Sequence, residues 1–169
     1  MKNDGIQTSA TGGFKINCGR NINTVEFFYT PSALSASTLI NSSSSNFSWN
    51  GGGTVSKTNI AAIYVNGVDR SSATLASNIF TAGQMHHVAI RFTSAITGDI
   101  KFNYNVTGGP SNKFNNIGLY EKSLTNAEIL RHYSEYISRP TSSVSETATT
   151  VTIPGINYAN NDWIVISSI

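Results

Sequence analysis

This sequence has few charges: Asp, Glu, Lys and Arg make up 12% of its 169 residues, about half the usual share of roughly 25%. Ser, Thr, Asn and Gly fill the gap. Helix surfaces favour Glu, Lys and Arg, whereas Ser, Thr and Asn suit strands and turns, so the composition points to an all-β domain. There is one cysteine, Cys18, in the apolar-flanked stretch FKINC. With no partner in the chain it excludes a disulfide-built scaffold and reads as a small buried hydrophobe. Lys and Arg are scattered singly and net charge is only +2. No basic run is present to act as a nucleic-acid or anionic-membrane footprint. No apolar run approaches the ~18 residues needed to span a membrane. The opening MKNDGIQTSATGGF lacks the apolar region of a secretory signal, which predicts a chain made without one.

Alternation of period two recurs at short intervals. In TVEFFYT, Val25, Phe27 and Tyr29 share one face, and Glu26 and Phe28 the other. In IAAIYVNG both faces are apolar, which predicts a strand covered on both sides. In MHHVAIRF, His86, Val88, Ile90 and Phe92 oppose Met85, His87, Ala89 and Arg91. DIKFNYNV sets Ile100, Phe102, Tyr104 and Val106 against Asp99, Lys101, Asn103 and Asn105, and FNNIGLY follows. NSSSSN, NGGG, VNGVDRSS, ITGD and TGGPSN separate the runs as turns. Asn66-Gly67 is a hairpin signal. Gly51 to Gly53 lack the Gly-Lys-Ser/Thr ending and the following helix of a phosphate loop. Many short strands with few helices predict a β-sandwich.

One segment breaks the pattern. SLTNAEILRHYSEYI carries a capping box, with Thr125 as N-cap and Glu128 three residues on. Leu124 and Ile129 fit the hydrophobic staple, and Ile129, Leu130, Tyr133 and Ile137 are read as its apolar stripe. The segment reads as a structural clasp on the sandwich edge. Beyond it, SRPTSSVSET is a Pro/Ser/Thr linker, and two strands are expected at 147–153 and 163–168. A lone hairpin is marginally stable, so this pair is expected to pack on its own body or on a neighbouring chain. Its own body avoids the entropy of association.

NIGLY followed by SLTNAEILRHY resembles the closing strand and helix of concanavalin A-like, laminin-G-like jelly rolls. TVEFFYTPSALSASTLINS is similar to an early strand pair of that family, GQMHHVAIRF to its Gly-x-Trp-His-His-Val-Ala strand, and IYVNGV to its Tyr-Val-Asp/Asn-Gly hairpin. Met85 stands where the family has Trp, and the hairpin precedes the His-His strand instead of following it. The resemblance implies a concanavalin A-like jelly-roll β-sandwich over 1–137, closed by the capped helix, with 138–169 as linker and added hairpin. It also brings in domains of the kind found in phage structural and adhesion proteins.

Glucanases of that fold carry Glu-x-Asp-x-x-Glu on one strand, which sets an acid and a nucleophile at retaining distance. No such spacing occurs here, and Glu128 is committed to its cap, so no enzyme activity and no catalytic residue is expected. His86 and His87 point to opposite faces of a strand and cannot share an ion, and His132 reaches them only through folding. No metal site or cofactor is expected, and Asp69 with Asn66 makes a poor calcium site. Trp49 and Asn50 in NFSWNGGG, and Trp163 in NNDWIV, are the candidate ligand-binding residues. An aromatic face beside amides suits sugar stacking, but aromatic residues dominate cores, and core packing is the favoured role for each tryptophan. Asn41, Asn46 and Asn105 match glycosylation sequons. The resulting expectation is a non-catalytic virion structural protein: a phage capsid decoration, head fibre or tail fibre domain. Its partners are other virion proteins or identical subunits, and a surface glycan, with no nucleic acid and no membrane insertion. The second expectation is a carbohydrate-binding module of a cell-surface adhesin.

Overall fold

The computed structural model describes residues 6–8, 13–103 and 111–137. Nine strands and one α-helix follow in order: β1 (Ile6–Gln7), β2 (Phe14–Thr30), β3 (Ser37–Asn41), β4 (Asn46–Trp49), β5 (Val55–Thr58), β6 (Ile60–Val65), β7 (Val68–Asp69), β8 (His86–Phe102), β9 (Lys113–Tyr120) and α1 (Asn126–Ile137), with a 3-10 turn at Ala76–Asn78 between β7 and β8. Every pairing is antiparallel. The main path runs β1-β9-β2-β8-β3-β4-β5, with β6 and β7 branching from β8. The domain is therefore all-β with one short helix, as the composition predicts.

β2 and β8 form the spine. They pair from Phe14↔Phe102 to Tyr29↔His86, with register shifts between Cys18 and Ile22 and between Ile22 and Thr24. Bulges bend a strand and sharpen its twist, so the paired ribbon turns over and its two halves face one another. The first half of β2 lies beside β8 and leads on to β3, β4 and β5, while the second half lies between β8 and β9. Rings meet across the gap: Phe27 stands edge-on to Phe102 at 5.5 Å, and Phe14 edge-on to Phe114 at 5.4 Å. Tyr29, Phe47, Trp49 and Phe80 continue the same core. ITGD, expected as a turn between two strands, lies inside β8. Gly98 takes φ +77 there while the strand continues, because its partner β2 bends in step.

The two-faced strands have two covers. Val25, Phe27 and Tyr29 of β2, Ile63 and Val65 of β6, and Val88 and Ile90 of β8 fill the core between the halves. Ala62, Tyr64 and Ala89 face the other way and pack with Leu124 and Ile129 beneath α1. The helix thus lies on the outer face of β6, β8, β2 and β9. Asn66 and Gly67 both take positive φ, 53° and 76°, in the turn joining β6 and β7, as a tight hairpin of primed type requires.

α1 begins where the capping box places it. Thr125 N–H donates to Glu128 Oε2 at 2.8 Å, and Glu128 N–H donates to Thr125 Oγ1 at 3.2 Å. Leu124 and Ile129 are both buried, which closes the staple. The inward stripe differs from the expected one. It comprises Ile129, His132, Tyr133 and Tyr136, while Leu130 and Ile137 are exposed. A hydrophobicity pattern cannot find a stripe in which a histidine and two tyrosines meet polar and aromatic groups on the sheet. The strands expected at 147–153 and 163–168 lie outside the described residues.

Replacing the cap hydroxyl tests the helix start. Thr125→Ala should lower unfolding free energy by about 1 kcal/mol in urea denaturation, and an unchanged midpoint would place the start elsewhere.

Candidate functional site

Between α1 and the sheet lies a buried polar cluster. Glu26 of β2 is 4% exposed, on the face opposite Phe27. Its Oε2 accepts from the Tyr120 hydroxyl of β9 at 2.8 Å and lies 2.8 Å from His132 Nδ1 of α1. Arg131 Nη2 sits 3.2 Å from His132 Nε2. His132 Nδ1 thus faces the Glu26 carboxylate, and the Arg131 guanidinium lies against the other ring nitrogen. His87 Nε2 of β8 lies 3.8 Å from Glu26 Oε1, and among the described residues Oε1 and His87 Nδ1 have no hydrogen-bond partner.

Burial sets the protonation of this cluster. It pushes the Glu26 carboxyl up, against the hydrogen bond from Tyr120 and the charge of His132. It pushes the His87 imidazole down to about 4, assisted by the charge of His132. Tyr120 is raised by burial and by the neighbouring Glu26. His87 stays neutral and packs as an aromatic, stacked on Tyr133 at 5.8 Å and tilted against Phe28 at 5.2 Å. Tyr136 lies 3.7 Å from Phe28 and Tyr120 stacks on His132 at 5.9 Å.

A second set of bonds anchors the start of the helix. Arg91 donates to the Leu124 carbonyl at 3.2 Å and to the Tyr64 hydroxyl at 2.8 Å, and Tyr64 donates to Asn126 Oδ1 at 2.6 Å. Thr24 Oγ1 accepts from Leu124 N–H at 3.0 Å and donates to the Lys122 carbonyl at 3.0 Å. Glu, His and Tyr together suggest acid–base chemistry, since a carboxylate that orients a histidine recurs in catalytic triads. Here the carboxylate, both histidines and the helix above them are packed together, and Arg131 occupies the outer nitrogen of His132. The arrangement ties α1 to β2, β8 and β9.

The residues singled out in the sequence lie elsewhere. Trp49 is 3% exposed, and its Nε1 donates to the Ser35 carbonyl at 2.7 Å. Its ring packs on Phe47 and Phe80, so no face is left for a sugar. Asn50 is exposed, and its Oδ1 accepts from Gly52 and Thr54 N–H, which holds the Gly-rich turn. Trp49 and Asn50 therefore form no stacking platform, because the strand pattern turns the indole inward. Trp163 lies outside the described residues. Cys18 is buried, which pushes its thiol up to about 11. His86 turns to the core side near Thr81 and Phe80, and His87 to the helix side, as strand alternation predicts.

Among the described residues, no group of three or more His, Cys, Asp or Glu is placed to hold a metal ion, and no helix is long and apolar enough to cross a membrane. The Glu26 cluster escaped the sequence reading. Its signal was a carboxylate facing a strand side that also carries Phe28, together with a histidine three residues after Ile129. No family model matches this chain, no curated protein matches it, and no solved structure matches its fold.

Glu26→Ala should cost about 3 kcal/mol in equilibrium unfolding, because it orphans His132 and Tyr120 beneath the helix. Glu26→Gln, which keeps an acceptor, should recover part of that loss, and equal losses would contradict the role of the carboxylate. His87 binds its proton near 6.5 when unfolded and only near 4 when folded. Its contribution to stability is present above pH 6.5 and lost as pH falls toward 4. Glu26, raised in the folded state, acts in the opposite sense. In urea titrations across that window, wild type should lose about 2 kcal/mol more than His87→Phe, and parallel curves would contradict a buried neutral His87.

Proposed function

We propose that this domain is a non-catalytic virion structural protein, a phage capsid decoration, head fibre or tail fibre domain, and that its two halves are the layers of a concanavalin A-like jelly roll. Its partners would be other virion proteins or identical subunits, its location the virion, and a surface glycan a further ligand. The observation that carries the reading is how the carboxylates are used. Glu26 accepts from Tyr120 and His132, Asp69 from the Ser71 amide, and Asp99 from Lys15 and Asn17. Glu121 pairs with Arg20, Glu128 with Lys122 and the Thr125 cap, and Glu135 with Arg131. Each described carboxylate thus has a hydrogen-bonded or ion-paired partner within the chain, local for Asp69, Glu128 and Glu135 and long-range for Glu26, Asp99 and Glu121. A glycosidase, by contrast, needs two carboxyl groups free to reach a sugar.

The outer face of the other half supports a role in contact-making. Phe14, Ile16, Ile40, Phe47 and Ile100 point to the core, so the alternate residues Lys15, Asn17, Lys101, Asn41, Asn46 and Ser48 line the opposite side. Register places Lys15 beside Lys101, Lys101 beside Asn41, and Asn41 beside Asn46. The result is a sheet surface of amides, hydroxyls and two ammonium groups, with the Asp99 carboxylate paired to Lys15 and Asn17 at its edge. The same face favours the second reading, a carbohydrate-binding module of a surface adhesin, since amides and ammonium groups hydrogen-bond sugar hydroxyls and carboxylates.

Native mass spectrometry of the full chain, paired with a glycan array, separates the two. The virion reading expects a closed homo-oligomer. A strict monomer with saturable glycan binding, weakened by Asn46→Ala or Lys101→Ala, would replace it with the adhesin module.

A further inference from the structure

Five large hydrophobic residues stand exposed among the described ones, and four of them gather at one rim. Leu130 is 53% exposed, Ile137 61%, Val68 50% and Met85 41%. Leu130 and Ile137 are seven residues apart on the same side of α1. A Cβ built on Gly67 would lie 2.7 Å from Leu130 Cδ1 and 3.4 Å from Tyr133, so this side of the helix overhangs the β6–β7 turn, where Val68 follows. The Tyr136 hydroxyl reaches Met85 Sδ at 4.0 Å and brings the start of β8 to the end of the helix. Scattered apolar residues are ordinary, whereas a gathered patch calls for a cover.

The chain itself carries a fitting cover. α1 ends at Ile137, on this rim, and the sequence runs on to Ile169. Within 147–168, Val151, Ile153, Trp163, Ile164, Val165 and Ile166 are apolar, and Asp162 is the one charged residue. Such a segment brings apolar area with little charge to desolvate. The linker from 138 to 147 spans up to about 30 Å when extended, and α1 is about 18 Å long. The segment can therefore reach back to Leu130 and beyond. Tethering also spares it the translational entropy that a separate partner would lose.

We propose that residues 147–168 fold back on the rim formed by Leu130, Ile137, Val68 and Met85 of their own chain. The proposal does not depend on the virion reading. It makes the exposed side of α1 an internal docking surface, with the inward side bound to the sheet and the outward side to the C-terminal segment.

Trp163 is the reporter. Its emission is obtained as the difference between the full chain and Trp163→Phe, which removes the buried Trp49 signal. Docking gives a blue-shifted Trp163 that acrylamide quenches poorly. Leu130→Asp should shift it to a water-exposed maximum, and Met85→Lys, placed outside the helix, should do the same. Far-UV circular dichroism and the Trp49 emission confirm that both variants keep the fold. A Trp163 already water-exposed in the wild type, or shielded but indifferent to both substitutions, overturns the proposal. Leu130→Cys in a Cys18→Ala background, labelled with benzophenone maleimide, then identifies the chain. Photoadducts between this position and 147–168 within one chain support fold-back, and adducts joining two chains overturn it in favour of exchange between subunits.

Discussion

The spine of this domain is wanted on both sides. β2, β6 and β8 carry buried residues on each face. A sheet folded over on itself covers one face of each strand and leaves the other to water. Ala62, Tyr64, Ala89, Phe28 and His87 would all be solvated on that outer face, and at roughly 25 cal/mol per Å² of apolar surface their exposure would cost several kcal/mol. α1 is the second cover. This explains why an otherwise β-patterned chain has one short, firmly capped helix near the end of its described body. The capping box sets where the helix starts, while Arg91, Tyr64 and Thr24 set where that start sits on the sheet.

The cover is polar where it could have been oily. Glu26, His132, Tyr120 and His87 lie in the layer between helix and sheet. Such groups contribute little net stability relative to well-packed hydrophobic residues. They do discriminate between arrangements: a helix shifted by one turn would leave Glu26 buried without His132. The satisfied cluster of Thr8, Asn103, Asn112 and Ser37 does comparable work at the other end of the fold, joining β3, β8, β9 and the residue after β1. Specific polar bonds in both places fix which parts meet, and the aromatic core between the halves supplies most of the burial.

Much of this was legible before the fold. Val25, Phe27 and Tyr29 against Glu26 and Phe28, the two-sided IAAIYV run, Asn66-Gly67, and Thr125 with Glu128 are local patterns, and local patterns are what a sequence displays directly. The misreadings came from tertiary context. Gly98 has turn chemistry, yet β8 runs through it because β2 bulges opposite. Leu130 is a better helix-core residue than His132 by hydrophobicity, yet His132 points inward because Glu26 waits there. Trp49 sits in a polar loop sequence, and strand alternation from Phe47 turns it into the core, the role favoured over sugar stacking for it. The candidate site is made by β2, β8, β9 and α1 together, over separations of up to about a hundred residues, and no window on the sequence brings those residues side by side.

As the second cover of the spine, α1 belongs to the cooperative core of the domain. Native-state hydrogen exchange measures this directly, by comparing the amide of Ile129 with those of Phe27 in β2 and Val88 in β8. If the helix is the second cover of the spine, all three should exchange with the free energy of global unfolding. Exchange of Ile129 through a low-energy local opening, with Phe27 and Val88 still protected, would show a helix that merely rests on a self-sufficient sheet.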